Sequence, residues 1–132
     1  MMHHQYDMHA KQVELWEKKY LANSSVHEQL ELFEKALYAI VTRANATLSK
    51  ITIEVVLDRV LYQSTEKYSQ LSLVEIQNGQ FIVKSMKLAD EGWLPAVRYL
   101  LIELLGVFGR LTAEILTIPL HKELMQVSSE KL

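Results

Sequence analysis

The segment from Ala96 to Thr117 constrains the fold more than any other part of this sequence. Its spacing predicts one helix of roughly six turns, whose apolar side chains cover well over half of the circumference. A surface helix normally has a narrower apolar stripe and a wide polar face. The charged residues in the segment argue against a membrane span, which needs about 20 predominantly apolar residues. We therefore expect protein to cover this helix on several sides.

The apolar surface of this helix also predicts a homodimer. It is larger than a domain of 132 residues covers easily, and symmetric pairing is the commonest oligomer geometry. The alternative is a monomer whose other helices wrap the segment unusually completely. The residues assigned to the association surface are Leu101, Leu104, Leu105, Gly106, Phe108, Gly109 and Arg110.

Two of the four glycines in the chain, Gly106 and Gly109, lie inside this helix. Glycine within a helix costs about 1 kcal/mol relative to alanine. We expect the close approach of another backbone or of a bulky side chain to compensate for that cost. A local kink or a chance substitution is the alternative.

A narrow polar band on the same helix is the strongest polar constellation in the sequence. Glu103, Arg110 and Glu114 fall within about 40° of each other, and Arg110 can pair with Glu114 at i, i+4. If the band is buried, the desolvation of these charges needs a reason. That reason is either a ligand site or a symmetric interface in which Arg110 meets Glu103 of a second chain. Alternatively, the band is simply the solvated edge of the helix.

The sequence before residue 70 predicts three helices. The first covers about residues 7–22. The second begins after Ser25, which forms a capping box with Glu28. A weaker helical pattern near Ser49 leaves two possibilities: the second helix bends there, or a third begins with Thr52 as its N-cap. The helical period then continues to about residue 68.

A β-hairpin is predicted at about residues 72–85. Asn78-Gly79 has the composition of a two-residue type I′ turn. This register places Val74, Ile76, Phe81 and Val83 on one apolar face, because opposed residues share a face. A lone two-stranded hairpin is only marginally stable, so this face should pack on helices.

The rest of the chain completes a single helical domain over residues 1–132. An irregular connection at 86–92 leads into the long helix, with Pro95 in its first turn. Pro119 should move Ile118 away from helical geometry, and a short final helix follows at about 119–127. We expect mobile ends at 1–6 and 128–132. The fold class is therefore α+β and predominantly helical: a bundle of four to five helices with one inserted hairpin.

Composition narrows the classes of partner. The net charge is −2 and charges of both signs are interspersed, which argues against nucleic acid and against polybasic attachment to a membrane. The absence of cysteine excludes disulfides and thiolate metal sites. The first residues lack the apolar core of a signal peptide. A cytoplasmic protein is the default expectation.

The histidines are the candidates for chemistry. His3, His4 and His9 lie near the N-terminus without the tight spacing of zinc motifs, so we expect no dedicated metal site. An exposed His121 is a candidate phosphoacceptor, as is His27 at the start of the second helix. The sequence contains no Gly-rich phosphate loop and no nucleophile elbow, and it indicates neither a cofactor nor catalysis.

Three functions follow as hypotheses. The first is a non-enzymatic regulatory or protein-interaction module, a homodimeric component or input domain of a signalling system that also accepts a protein partner. The second is a small-molecule sensor with an apolar pocket between the helices and the hairpin. The third is a histidine phosphotransfer protein that uses an exposed imidazole.

Overall fold

The computed structural model describes residues 2–83 and 92–128, with side chains from Met8 onward. This part of the chain is predominantly helical with one antiparallel hairpin, as predicted. A 3-10 turn at Ser69–Leu73 leads into the hairpin. The elements are α1 (Met2–Tyr20), α2 (Val26–Asn45), α3 (Lys50–Lys67), β1 (Val74–Gln77), β2 (Gln80–Val83), α4 (Trp93–Leu111) and α5 (Thr117–Met125).

Helix α4 forms the centre of the fold. It packs against α1, α2, α3 and α5, and its core side chains Leu100, Leu101, Leu104, Leu105 and Phe108 are fully buried. Burying each such side chain contributes roughly 1.5–3 kcal/mol. The expectation of a helix covered on several sides is confirmed, and helices of the same chain supply the cover.

The Ala96–Thr117 segment is not one helix, because α4 ends at Leu111. The Thr112 hydroxyl donates to the Phe108 carbonyl at 2.9 Å and accepts from the Leu116 amide at 3.2 Å. Ala113 and Glu114 then adopt left-handed backbone angles, with φ of 51° and 68°. These contacts end the helix without glycine or proline, so the apolar period continues across the break.

The prediction for Ile118 is also wrong. This residue lies in the first turn of α5, directly before Pro119. Amide groups in a first turn have no carbonyl partner within their own helix, so proline is tolerated there.

Both serine caps form at helix N-termini. The Ser25 hydroxyl accepts from the Glu28 amide at 3.2 Å, and the Ser25 amide donates to the Glu28 carboxylate at 2.9 Å. This confirms the predicted capping box. Ser49 caps α3 by accepting from the Thr52 amide at 3.1 Å. A new helix therefore begins at Lys50, and Thr52 is not its cap.

The hairpin has the predicted register, with Val74 opposite Val83 and Ile76 opposite Phe81. Asn78 and Gly79 have φ of 54° and 73°, as a type I′ turn requires. Strand β2 packs on α2 and β1 contacts α3. The predicted connection at 86–92 lies outside the described residues except for Gly92.

At the chain ends, the backbone of α1 is helical from Met2, earlier than the predicted start near residue 7. Residues 129–132 lie outside the described part of the chain.

Candidate functional site

Two histidines at opposite ends of the chain meet inside the bundle. The His9 Nδ1 atom of α1 lies 2.8 Å from the His121 Nε2 atom of α5, although 112 positions separate them in sequence. The rings meet edge to face, with centroids 5.0 Å apart. The His9 side chain is only 1% exposed, and His121 is partly buried. This contact joins the first helix to the last.

Burial keeps both rings neutral near pH 7. Desolvation lowers the pKa of His9, the Arg110 charge lowers it further, and the Glu114 carboxylate opposes the shift. The pKa of His121 falls to about 4, mainly through desolvation and secondarily through His9, again against Glu114. In a neutral pair one nitrogen donates and the other accepts. The other nitrogen of His9, Nε2, is buried without a hydrogen-bond partner.

The two helix glycines make room for side chains around this pair. A Cβ atom on Gly106 would lie 3.4 Å from Arg110 Nη1 and 3.9 Å from His9 Cδ2. A Cβ atom on Gly109 would lie 2.9 Å from both Glu114 Oε1 and Thr117 Oγ1. The bulky groups that approach these glycines therefore belong to the same chain.

The predicted polar band is divided, because Arg110 and Glu114 both act on His9 whereas Glu103 does not. Glu103 accepts a hydrogen bond from the Tyr99 hydroxyl at 3.1 Å. Glu114 lies beyond the end of α4, where its carboxylate accepts from the Thr117 hydroxyl. Arg110 is exposed at the last turn of α4. Because the helix ends between them, Arg110 and Glu114 do not have the predicted i, i+4 helical geometry.

The residues assigned to a dimer surface lie mostly in the interior. Leu101, Leu104, Leu105 and Phe108 are fully buried; Gly106 and Gly109 are also buried, and Arg110 alone is exposed. The surrounding helices of the same chain cover these six buried residues, so in this conformation none of them offers surface to a second chain. Dimerisation itself stays a prediction and needs a different face.

The two phosphoacceptor candidates have different environments. His121 uses Nε2 in the contact with His9, so it is not the freely exposed imidazole that the phosphotransfer hypothesis requires. His27 is exposed in the first turn of α2, with Nε2 3.7 Å from a Glu31 carboxylate oxygen. Within the described residues, histidine and acidic side chains form no group of three or more suited to a metal ion. The side chains of His3 and His4 lie outside the described part.

An apolar groove between α3 and α4 is the second notable feature. It has a volume of about 610 Å³. Ile51 is 74% exposed, Val55 61% and Leu111 54%. Val56 and Val107 form its floor, Thr52 and Gln63 also line it, and Arg59 and Arg110 add two positive charges. The sequence contained a signal for it, since Ile51 and Val55 are apolar, stand at i and i+4, and lie opposite the core face of α3.

Two smaller cavities bear on the sequence-based hypotheses. One of about 410 Å³ lies between α3 and the hairpin turn, where the sensor hypothesis placed an apolar pocket. Its lining is mainly polar, formed by Lys50, Glu54, Asp58, Ile76, Asn78 and Gly79. The other, of about 470 Å³, borders His121 and is lined also by Gln12, Ile118, Lys122, Met125 and Gln126.

Comparison of the chain with protein-family models, with curated proteins and with solved structures gave no match. None of the described helices has the length and apolar character needed to cross a membrane.

Proposed function

We propose that this chain is a non-enzymatic protein-interaction module that binds an amphipathic helix of a partner protein in the groove between α3 and α4. The observation that carries this proposal is the groove itself, in which strongly exposed apolar side chains lie beside two arginines. Contiguous apolar patches on a protein surface mark interaction sites. Ile51, Val55 and Leu111 provide such a patch.

The shape of the groove supports a helix as the occupant. Two adjacent helices, α3 and α4, form its walls. An amphipathic helix can place residues at i, i+3, i+4 and i+7 between two such walls. A third helix in this position would bury Ile51 and Leu111 in the same way as α4 buries its own leucines.

The charges of the groove support an acidic partner. Arg59 and Arg110 line it, and the described lining residues include no carboxylate. Opposite charges across an interface select the partner and accelerate association. We therefore expect glutamate or aspartate beside the apolar face of the partner helix, with binding that weakens as salt increases.

The environment of the histidine pair supports a non-enzymatic role. His9 is 1% exposed, and its contact with His121 joins two helices of the bundle. A general base must come within hydrogen-bond reach of a substrate, and the burial of His9 prevents a substrate from reaching its ring. The polar cluster with shifted pKa values therefore favours a structural tie over catalysis.

A synthetic peptide tests the proposal. The probe is a fluorescent helix of about 20 residues with leucines at i, i+3, i+4 and i+7 and glutamates beside them. Val55→Glu should weaken its binding at least about tenfold, because it places a carboxylate in the groove. Tyr38→Glu is the matched control, since Tyr38 is 59% exposed on α2 and lies outside the groove. An equal loss in both variants, or no binding to the unchanged protein, would contradict the proposal.

A second copy of the chain could also occupy the groove, and light scattering distinguishes this self-association from binding of a partner protein. A mass near twice 15.3 kDa that returns to one chain in the Val55→Glu variant would assign the groove to self-association. The partner proposal would then be wrong, and the predicted homodimer would use α3 in place of the buried face of α4.

A further inference from the structure

We infer that the contact between His9 and His121 is an acid-released latch that holds the first half of α1 against α4 and α5. This inference concerns the histidine pair, which shares Arg110 with the docking groove and none of the groove's apolar residues. It rests on the geometry of the pair and on the distribution of ties along α1.

The second half of α1 has three polar ties to the bundle. The Trp16 indole donates to the Val127 carbonyl at 2.9 Å, and the Tyr20 hydroxyl donates to the Met125 carbonyl at 3.0 Å. Glu17 pairs with Arg98 of α4 at 2.8 Å. Among the described α1 side chains before Val13, His9 makes the one tie of this kind. Loss of the His9 contact therefore releases the first half of α1, while the three polar contacts of the second half remain.

The groups facing the pair limit how many protons it can accept. Arg110 approaches from α4, Glu114 approaches from the turn before α5, and the two rings face each other. The neutral pair already holds one proton between the facing nitrogens, so the first added proton goes to the free nitrogen of the donating ring, with the Glu114 carboxylate as counter-charge. A second proton makes both facing nitrogens donors at a separation of 2.8 Å, next to the Arg110 cation. The closed contact cannot hold both protons.

The direction of the pH effect follows from linkage. Both rings have a folded-state pKa below the ordinary value of 6.5, so the closed state binds fewer protons than an opened one. The latch is fully closed above about pH 6.5 and is lost as the pH falls toward 4. Each imidazole shifts the ratio of open to closed states by up to about tenfold per pH unit in this window.

Spin labels can measure this opening directly, because the chain contains no cysteine. One labelled pair, Lys11→Cys with Lys122→Cys, reports the distance between the first half of α1, which carries His9, and α5. The control pair, Lys18→Cys with Gln126→Cys, joins the second half of α1 to the end of α5; all four positions are exposed. Between pH 7 and pH 4.5, we expect the distance distribution of the first pair to broaden and lengthen while that of the second stays unchanged.

Substitutions identify the groups that titrate. His121→Gln and His9→Gln replace a titrating ring with a neutral hydrogen-bonding amide, and each should remove most of the pH-dependent change. His27→Gln is the control, because His27 is exposed on α2, where it pairs with Glu31; it should leave the change intact. Three results would overturn the latch: no distance change in the unchanged sequence, the same change in both glutamine variants, or simultaneous loss of both labelled distances.

Discussion

Glu114 closes the end of α4 by returning to Gly109. Its amide donates to the Gly109 carbonyl at 2.7 Å, and its carboxylate oxygen lies 2.9 Å from the position a Gly109 Cβ atom would occupy. The same carboxylate accepts a hydrogen bond from the Thr117 hydroxyl. Its negative charge also raises the pKa of both His9 and His121, against the effect of burial. Glycine at position 109 therefore allows α4, α5 and the histidine pair to meet.

Gly109→Ala tests this close approach. The added methyl group displaces the Glu114 and Thr117 side chains, so we expect a loss of about 1–3 kcal/mol in the free energy of unfolding. Gly106→Ala is the matched control, because the nearest atom is the flexible end of Arg110 at 3.4 Å. Alanine at position 106 gains about 1 kcal/mol in helix propensity, so the free energy of unfolding of this variant should be unchanged or higher. Urea denaturation of both variants measures the difference, and equal effects would refute this account of Gly109.

Ala113→Gly tests the strained turn between α4 and α5. Ala113 has φ of 51°, a conformation that costs a non-glycine residue about 1–2 kcal/mol. Glycine removes that cost but also increases the entropy of the unfolded chain. We expect a net gain of about 0.5–1 kcal/mol in thermal or urea denaturation.

The control for this turn is Ala46→Gly at the end of α2. Ala46 is exposed and has an ordinary φ of −70°, so glycine at this position should not raise the free energy of unfolding. A stability gain at position 46 but not at position 113 would contradict the strained conformation.

Ser25→Ala removes the capping box of α2. The hydroxyl accepts from the Glu28 amide, and loss of an N-cap of this type costs about 1 kcal/mol. Ser24→Ala changes an adjacent serine that caps no helix and should cost much less. Differential scanning calorimetry of the two variants compares them, and equal melting temperatures would contradict the cap.

Global stability should fall in mild acid because of the buried histidines. The unfolded chain takes up protons near pH 6.5, whereas His121 in the folded protein does so only near pH 4. Stability is therefore highest above pH 6.5 and falls through this window, by on the order of 1–2 kcal/mol from His121, because solvent screening at this partly buried ring reduces the full effect of the pKa shift. Urea midpoints from pH 7 to pH 4 measure the slope, which should be shallower in His121→Gln. A slope unchanged by that substitution would show that other groups cause it.

Local patterns made part of this fold predictable. The hairpin depends on Asn78-Gly79 and on alternation within a few residues, and the cap of α2 depends on two residues three positions apart. The central position of α4 follows from its apolar circumference. These signals need no knowledge of tertiary contacts.

The remaining features depend on contacts that the sequence does not display. A threonine hydroxyl and two non-glycine residues with positive φ end α4, and none of them is a standard helix stop. The partner of His9 lies at the other end of the chain, so spacing cannot indicate it. The groove could not be predicted because the spacing of Ile51 and Val55 does not show which helix faces the folded chain leaves uncovered.

Amide chemical shifts during a titration test the docking proposal most directly. Isotope-labelled protein is titrated with the glutamate-flanked peptide, and the spectrum of each backbone amide is followed. The proposal predicts that the largest shifts occur at Val55, Val107 and Leu111, and that replacing the peptide glutamates with lysines weakens binding. Shifts centred on the hairpin or on the cavity beside His121, with the groove unchanged, would contradict it.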